Sequence, residues 1–184
     1  NENETINYYK IISSLTDKPL MAYIQPFYSG NVTELISKLL EIKNFIGIKL
    51  TVPNYYLFEQ LRRNFPEINI LNGPDESVLA GLVSGANGAI GTSYNLLPKA
   101  ASNLYNSVIN GDIKAAQENQ HIINRLIDVV LGKGIVCWKE LLRYIDIDPG
   151  FTVEPAIAPD AEMQSRIKKL LESNGTIAEM TKYK

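Results

Sequence analysis

The chain has 184 residues, 45% of them hydrophobic and 21% charged, and its 18 basic and 20 acidic side chains leave a formal charge of -2. This composition is typical of a globular protein that is long enough to bury a core, and it disfavours disorder. The sequence has no basic cluster and no apolar run near the roughly 20 residues that cross a bilayer, so neither nucleic acid nor a membrane is an expected partner.

The pattern of apolar residues predicts alternating helices and strands over the first half of the chain. The predicted elements are a helix at 5–16, a strand at 20–24, a helix at 35–42, a strand at 46–51, a helix at 54–64, a strand at 68–71, a helix at 75–83, a strand at 89–90 and a longer helix from about residue 94. A strand about every 20 to 26 residues, with a helix between, is typical of right-handed βαβ units and a parallel sheet.

The second half of the chain predicts helices only. After Gly111 the helical pattern recurs at 113–131, 135–145 and 160–171, and a proline-containing linker runs from 148 to 159. We therefore expect two domains, an α/β part with four βα units at 1–111 and a helical extension at 112–184. Four parallel strands fit either a small open sheet or one half of an eight-stranded barrel.

Lys49 lies between Ile48 and Leu50 on the second predicted strand, in a run that otherwise resembles a protein interior. If both faces of this strand are covered, the amine lies in an apolar pocket, where its pKa falls from about 10.4 toward about 7 to 8. A neutral amine attacks ketones and forms a Schiff base, beside which a carbon-carbon bond can break or form. The plainer alternative is an edge-strand lysine that reaches solvent.

Other polar residues at the ends of the predicted strands have both a structural and a functional interpretation. Tyr23, one strand away from Lys49, could relay a proton or hold a carboxylate, or it could belong to the core. Asp75 and Glu76 could accept hydrogen bonds from a polyol, or they could cap a helix. The segment 91–93 suits an anion or a hydroxyl, or it is a tight turn. Because all of them follow or end parallel strands, we expect them at the same rim.

Four segments, taken in chain order, resemble the N-acetylneuraminate lyase and dihydrodipicolinate synthase superfamily of Schiff-base aldolases, and its N-acetylneuraminate lyase branch most closely. The segments are YIQP at 23–26, GIKLT at 47–51, NGPDES at 72–77 and LAGLVSGANGAIGTSYN at 79–95. The resemblance extends over nearly the whole chain. It implies strands five to eight of a TIM (β/α)8 barrel followed by a helical tail, and a class I mechanism that uses neither a metal nor another cofactor.

The resemblance also implies a role for each matching residue. Lys49 is the Schiff-base lysine, and Tyr23 transfers protons together with the substrate carboxylate. Thr51 lines the pocket. The residues implied to bind the polyhydroxyl tail of the substrate are Gly73, Asp75, Glu76, Gly91 and Thr92.

The implied reaction is cleavage of N-acetylneuraminate, or a similar 2-keto sugar acid, to pyruvate and N-acetylmannosamine. The chain departs from the family pattern at Ile24, where an asparagine is usual, at 52–54, and at Tyr28, which stands near an arginine of the dihydrodipicolinate synthases. The missing arginine, together with Asp75 and Glu76, favours a sugar acid over aspartate semialdehyde. A dihydrodipicolinate synthase, a 2-keto-3-deoxy-acid aldolase and an inactive half-barrel fragment that acts through assembly remain alternatives.

The resemblance covers only the last four of the eight strands that members of the superfamily have. The first four would bring the segment that binds the pyruvate carboxylate, and a half-barrel leaves two sheet edges that invite pairing. The chain also begins without a methionine. This leaves open that the chain is a processed or truncated piece of something longer. We expect either a companion fragment that supplies the missing amino-terminal half-barrel, pairing with another copy of the chain in a homo-oligomer, or a piece cut from a full-length enzyme, and little activity for the chain alone.

The remaining chemistry-bearing residues fit structural roles. His121 lies on a predicted helix far from the strand ends, and Cys137 lies in the helical tail. No His, Cys or carboxylate cluster has the spacing of metal ligands. A single cysteine allows no internal disulfide and is typical of a reducing compartment, and the acidic residues 1–4 differ from the basic start of a signal peptide, so we expect a cytoplasmic protein.

Overall fold

A computed structural model describes residues 2–130 and 134–173 of the chain. In chain order the elements are α1 (Glu2–Leu15), β1 (Leu20–Ile24), α2 (Val32–Leu39), β2 (Phe45–Leu50), α3 (Tyr55–Asn64), β3 (Asn69–Asn72), α4 (Val78–Val83), β4 (Gly88–Ala89), α5 (Pro98–Ile109), α6 (Ile113–Val130), α7 (Ile135–Arg143) and α8 (Ala161–Ser173). Short 3-10 turns at Asp75–Ser77 and Ser93–Asn95 lie just before α4 and α5. The chain divides into two compact units, Asn1–Ile90 and Gly91–Lys184.

The four strands of the first unit form one parallel sheet in the order β1-β2-β3-β4. This confirms the predicted alternation of strands and helices and the parallel sheet. The predicted division after residue 111 remains a prediction. Because the strands are parallel, their carboxyl ends lie at one edge of the sheet, where the loops that follow them also begin.

One face of the sheet packs against helices and forms the core of the first unit. Its side chains come from alternate strand positions, as the period of two in a strand requires. The fully buried members on the strands are Ala22, Ile48, Leu50 and Ile70, and those on the helices are Leu35, Ile36, Leu39, Phe58 and Leu61. Asn31 caps α2 by accepting from the backbone N–H groups of Thr33 and Glu34, and Asn54 caps α3 by accepting from that of Leu57.

The opposite face of the sheet is open to solvent over much of its area. Its residues are Met21, Tyr23, Lys49, Asn69 and Leu71, and each of them is at least partly exposed. An antiparallel sheet commonly has one solvated face, whereas a parallel sheet is usually covered on both sides. This sheet therefore differs from a usual parallel sheet, because one of its faces is uncovered.

Two backbones approach each other closely at Gly47 on β2. A Cβ atom at this position would lie 2.1 Å from the backbone oxygen of Asn69 on β3. Only glycine fits there without a shift of one strand, because the obstructing atom belongs to the backbone. Gly47 pairs with Met21 on one side and with Asn69 on the other, and Ile46 is passed over in the register between β1 and β2.

The second unit is helical in its described residues. Helix α5 packs against α6, and α6 packs against α8. Gly111 makes the turn between α5 and α6 with a φ of +78°, a left-handed conformation that favours glycine. Cys137 is buried on α7, as its expected packing role requires. The linker after α7 is held by Arg143, whose guanidinium donates to the backbone oxygen of Gly150 at 2.8 Å.

The structure corrects two details of the predicted elements. The helix expected from about residue 94 begins at Pro98, and Ser93–Asn95 is a 3-10 turn. Proline lacks an N–H group and fits the first turn of a helix, so Pro98 sets that start. The helix predicted at 5–16 is longer at its amino end, since α1 begins at Glu2 and ends at Leu15.

Candidate active site

Strand pairing brings Lys49 and Tyr23 together on the open face of the sheet. The two residues are register partners on β2 and β1. The Nζ atom of Lys49 lies 4.4 Å from the centroid of the Tyr23 ring, a cation-π arrangement. Ile48 and Leu50 are fully buried under the helices, so alternation along the strand points Lys49 to the other face.

Lys49 and Tyr23 are more exposed than the closed pocket predicted from the sequence requires. Tyr23 is 44% exposed, and Lys49 is partly exposed. The closed apolar pocket expected around the lysine is therefore not formed by the described residues, because the face that carries Lys49 has no covering layer there. The backbone of Tyr23 is nevertheless fixed, because its N–H donates to the hydroxyl of Tyr9 on α1 at 3.0 Å.

Thr51 and Gly73 meet at the rim, one after β2 and the other after β3. The backbone N–H of Thr51 donates to Ile24 at 3.0 Å and that of Gly73 donates to Leu50 at 2.9 Å, so the ladder continues past the strand ends. A Cβ atom on Gly73 would lie 2.1 Å from Oγ1 of Thr51. That hydroxyl is buried and has no hydrogen-bond partner among the described residues, which leaves it free to bond a ligand.

The carboxylates of Asp75 and Glu76 follow Gly73 closely in the sequence. Asp75 and Glu76 occupy the 3-10 turn before α4, and Asp75 is only 9% exposed. Asn72 shapes the turn, since its side-chain amide donates to the backbone oxygen of Pro74 at 2.7 Å. Asn72 is not among the site residues predicted from the sequence. The sequence signal for Asn72 is its position on β3, as a polar residue on a face whose other side chains are apolar.

Tyr28 lines a cavity of about 380 Å³ that Tyr23, Gln25, Glu2 and Ser29 also border. Its hydroxyl is buried and has no hydrogen-bond partner among the described residues. Burial is the main cause that raises the pKa of the Tyr28 phenol above its ordinary value, and the negative charge of Glu2 raises this pKa further. The cavity thus has a neutral phenol on the loop that follows β1, the strand that carries Tyr23.

Gly91 and Thr92, the remaining predicted site residues, belong to the second unit. Thr92 borders a separate cavity of about 320 Å³, together with Trp138, Lys139 and Leu142. The backbone oxygen of Thr92 accepts from the side chain of Asn95 at 3.0 Å. The ammonium of Lys139 donates to the backbone oxygens of residues 149 and 151, which ties the linker to α7.

In the described residues, no group of three His, Cys, Asp or Glu side chains is placed to hold a metal ion. Within the same residues, no helix is long and apolar enough to cross a membrane. The groups that the first unit does bring together are an amine, a phenol and an unpartnered hydroxyl. Such groups suit nucleophilic and acid-base chemistry on a polar small molecule.

Comparisons with known proteins point to one family. The model of the dihydrodipicolinate synthetase family matches residues 1–174. The N-acetylneuraminate lyase of Clostridium perfringens is 34% identical over 171 residues, which are 91% of this chain and 59% of that lyase. The chain therefore spans less than two thirds of the length of this relative.

Solved structures give the same picture. The crystal structure of CdNal from Clostridium difficile in complex with mannosamine is 32% identical, with a TM-score of 0.87, and the match covers 94% of this chain and 61% of that one. The N-acetylneuraminate lyase from Fusobacterium nucleatum is 30% identical, with a TM-score of 0.85 and coverage of 94% and 60%.

Proposed function

Since the chain belongs to the dihydrodipicolinate synthetase family, we propose that it carries the Schiff-base chemistry of an aldolase of the N-acetylneuraminate lyase type. The reaction is cleavage of N-acetylneuraminate, or a similar 2-keto sugar acid, to pyruvate and N-acetylmannosamine or a similar aldehyde sugar. The observation that carries this proposal is the pairing of Lys49 with Tyr23 on adjacent parallel strands.

In the proposed mechanism, the amine of Lys49 attacks the keto carbon of the substrate, and loss of water gives an iminium ion. The carbon-carbon bond beside it then breaks, and its electron pair moves toward the iminium nitrogen to form an enamine. The aldehyde sugar leaves as the first product. Protonation of the enamine and hydrolysis of the imine release pyruvate and restore the amine. Tyr23 relays the proton that the substrate hydroxyl loses as it becomes the aldehyde carbonyl, and this proton is delivered to the enamine carbon.

The rim residues supply substrate binding in this proposal. Thr51 offers a buried hydroxyl without a partner, and we assign it to the bound keto acid. Gly73, Asp75 and Glu76 bind the polyhydroxyl part of the substrate. Carboxylates accept hydrogen bonds from sugar hydroxyls, which is the reason for placing the polyol there.

The open sheet supports the proposal that the first four strands are strands five to eight of a TIM (β/α)8 barrel, with residues 1–111 as the barrel part and 112–184 as a helical extension. In such a barrel the interior is filled by side chains of all the strands. The partly exposed face with Lys49 and Tyr23 then becomes interior only when further strands cover it. We accordingly propose that the chain alone has little activity, that the complete cytoplasmic enzyme is a homo-oligomer, and that it uses no cofactor.

A second candidate keeps the lysine chemistry and changes the substrate to that of a dihydrodipicolinate synthase or a 2-keto-3-deoxy-acid aldolase. Tyr28 bears on this choice, because its phenol lines the cavity beside Tyr23 near the place where dihydrodipicolinate synthases carry an arginine. A neutral phenol gives no charge to bind a second carboxylate. This disfavours aspartate semialdehyde. A non-catalytic role in assembly is the third candidate.

Reduction with borohydride in the presence of pyruvate tests the proposal. In the assembled protein we expect a stable pyruvate adduct on Lys49, located by peptide mass spectrometry. Lys49→Arg should abolish the adduct, whereas Lys43→Arg, a change at an exposed lysine, should leave it unchanged. An assembled protein that yields no adduct on Lys49 would be no aldolase of this class. Turnover of N-acetylneuraminate, compared with condensation of pyruvate and aspartate semialdehyde, separates the two substrates.

A further inference from the structure

Asn72 is a polar residue on the face of the sheet that the helices cover. It is fully buried at the end of β3, on the same side of that strand as Ile70. Strand pairing places it opposite Leu50 on β2 and Ala89 on β4. Its backbone oxygen accepts from the N–H of Ile90 at 3.0 Å. The side chain of Asn72 is therefore attached to backbone that has a neighbouring strand on both sides.

The side-chain amide of Asn72 bonds the turn that carries the two carboxylates. Its Nδ2 atom donates to the backbone oxygen of Pro74 at 2.7 Å, and the backbone N–H of Ser77 donates to the same oxygen at 3.3 Å. Asp75 and Glu76 lie between these two residues, in the 3-10 turn. The amide thus holds the carbonyl group on which the turn closes.

The other end of the amide is buried without a partner. The Oδ1 atom of Asn72 has no hydrogen bond among the described residues. A Cβ atom at Gly81 on α4 would lie 2.2 Å from it, so this oxygen lies against the helix where the helix has no side chain. A buried acceptor without a partner lowers stability, and leucine, which has the same branching, would fill the position without that cost. Stability alone therefore does not account for an asparagine here.

We propose that Asn72 is a positioning residue, which sets the place of Asp75 and Glu76 for the hydroxyl groups of the substrate tail. It touches no substrate atom and acts through the carbonyl group of Pro74. Hydrogen bonds to hydroxyl groups need distances within a few tenths of an ångström, so a small shift of the turn weakens them. This inference rests on the proposed function, in which the two carboxylates bind the polyol, and it adds the residue that holds them in place.

The position of Asn72 separates its effect from the chemistry at Lys49. Asn72 points to the helix-covered face of the sheet, whereas Lys49 lies on the open face beside Tyr23. Loss of the amide should therefore weaken binding of the polyhydroxyl tail and leave imine formation with pyruvate unchanged. A residue that merely stabilised the fold would affect both.

Kinetics of the assembled protein test this separation. Asn72→Leu should raise the KM for N-acetylneuraminate about tenfold or more, with little change in kcat, because the hydroxyl bonds of the tail weaken. The pyruvate adduct on Lys49 should form at the same pyruvate concentration as in the unchanged protein. Asn72→Asp keeps the shape of the side chain and removes only the donor, so it should raise the KM as well.

Asn44 offers a matched control at the opposite edge of the sheet. Its side-chain amide donates to the backbone oxygens of Thr16 at 2.9 Å and Lys18 at 2.7 Å, just before the strands β1 and β2 begin. Asn44→Leu removes the same kind of bond far from the rim. It should lower the midpoint of urea unfolding and leave the KM for N-acetylneuraminate unchanged.

Gly81→Ala reaches the amide without changing Asn72 itself. The added Cβ atom displaces the Oδ1 atom that lies 2.2 Å from its position, so this variant should raise the KM in the same way as Asn72→Leu. Gly88→Ala is its control, because the added atom lies 3.4 Å from the end of the Leu71 side chain, an ordinary contact. It should leave the KM unchanged.

Hydrogen exchange at the amide of Ser77 tests the turn in the chain alone, whether or not the protein is an aldolase. Asn72→Leu and Gly81→Ala should accelerate this exchange, because the carbonyl group that accepts from Ser77 is no longer held. Asn44→Leu and Gly88→Ala should not accelerate it. Circular dichroism confirms that each variant is folded.

The outcomes distinguish this inference from the proposed function. Unchanged exchange at Ser77 in Asn72→Leu would overturn the inference, and so would equal rises of the KM for Asn72→Leu and Asn44→Leu. Pyruvate trapping that weakens in Asn72→Leu as much as sugar binding does would also overturn it. An assembled protein that traps no pyruvate refutes the aldolase activity instead, and the exchange at Ser77 then decides whether Asn72 holds the turn.

Discussion

Replacing Arg62 with alanine should destabilise the first unit far more than the same change at its neighbour Arg63. The guanidinium of Arg62 donates to the backbone oxygens of Gly85 at 3.0 Å, Pro66 at 2.6 Å and Ile68 at 3.1 Å, and it also bonds the side chain of Asn87. It thereby joins the loops before β3 and β4. Arg63 is exposed and bonds Glu59 on its own helix.

The magnitude follows from the bonds that are lost. Each of the three backbone oxygens loses a hydrogen bond worth about 0.5 to 1.5 kcal/mol net, so Arg62→Ala should lower the free energy of unfolding by about 2 to 4 kcal/mol. Asn87 strengthens this expectation, because its side chain also accepts from the backbone N–H of Ile70 at 2.9 Å. Arg62→Lys keeps the charge but cannot reach all of these oxygens at once, so we expect it to recover less than half of the loss.

Urea unfolding followed by circular dichroism measures the effect. The midpoint should fall clearly for Arg62→Ala, with an unchanged dependence on denaturant, and should move little for Arg63→Ala. Equal shifts for the two variants would refute the reasoning, because they would show that the contacts of Arg62 with the loops add nothing to those of an exposed arginine.

Two further predictions concern the rim and the cavity. Gly73→Ala places a Cβ atom 2.1 Å from Oγ1 of Thr51 and 2.9 Å from its Cα, so the free energy of unfolding should fall by about 1 to 3 kcal/mol and pyruvate trapping in the assembled protein should weaken. The control for loss of a glycine is Gly88→Ala, whose added atom lies 3.4 Å from the end of the Leu71 side chain, an ordinary contact. Full trapping by Gly73→Ala would contradict the expected contact. Burial, followed by the charge of Glu2, raises the pKa of the Tyr28 phenol in the folded state. The unfolded state therefore loses the phenol proton first, and the free energy of unfolding should decline as pH rises above about 10. Tyr28→Phe should reduce that decline, measured as unfolding midpoints across pH, and an unchanged decline would contradict the role of Tyr28.

The strands could be predicted from the sequence because β1, β2 and β3 carry buried side chains at alternate positions. Leu20–Ile24 was predicted with its observed bounds, and β2 was displaced by a single residue. The pairing of Lys49 with Tyr23 also followed, since both were expected at matching points of neighbouring strands. Period and spacing are local signals, and they carry this much information without knowledge of distant contacts.

Other features depend on contacts between distant residues, which the spacing of apolar residues along the sequence does not indicate. The bond between Tyr9 and the backbone of Tyr23 joins residues 14 positions apart, and nothing in either segment indicates it. Helix α1 carries apolar residues on two sides, since Ile6 is buried and Leu15 is 79% exposed, and the spacing of apolar residues alone does not show which side is covered. The start of α5 at Pro98 was a missed signal, since proline favours the first turn of a helix.

The close contact at Gly47 also decides which residue of β2 lies beside Tyr23 on the open face of the sheet. If β2 slipped by one position against β3, Ile46 or Ile48 would stand opposite Asn69. The Cβ atom of that residue would then meet the backbone oxygen of Asn69, which leaves room only for the hydrogen atom of a glycine. Such a slip would turn every side chain of the strand to the other face. Lys49 would enter the hydrocarbon layer beneath the helices, and an aliphatic residue would stand beside Tyr23. The absence of a side chain at Gly47 thus permits a single register of β2, the one in which the amine of Lys49 lies on the open face.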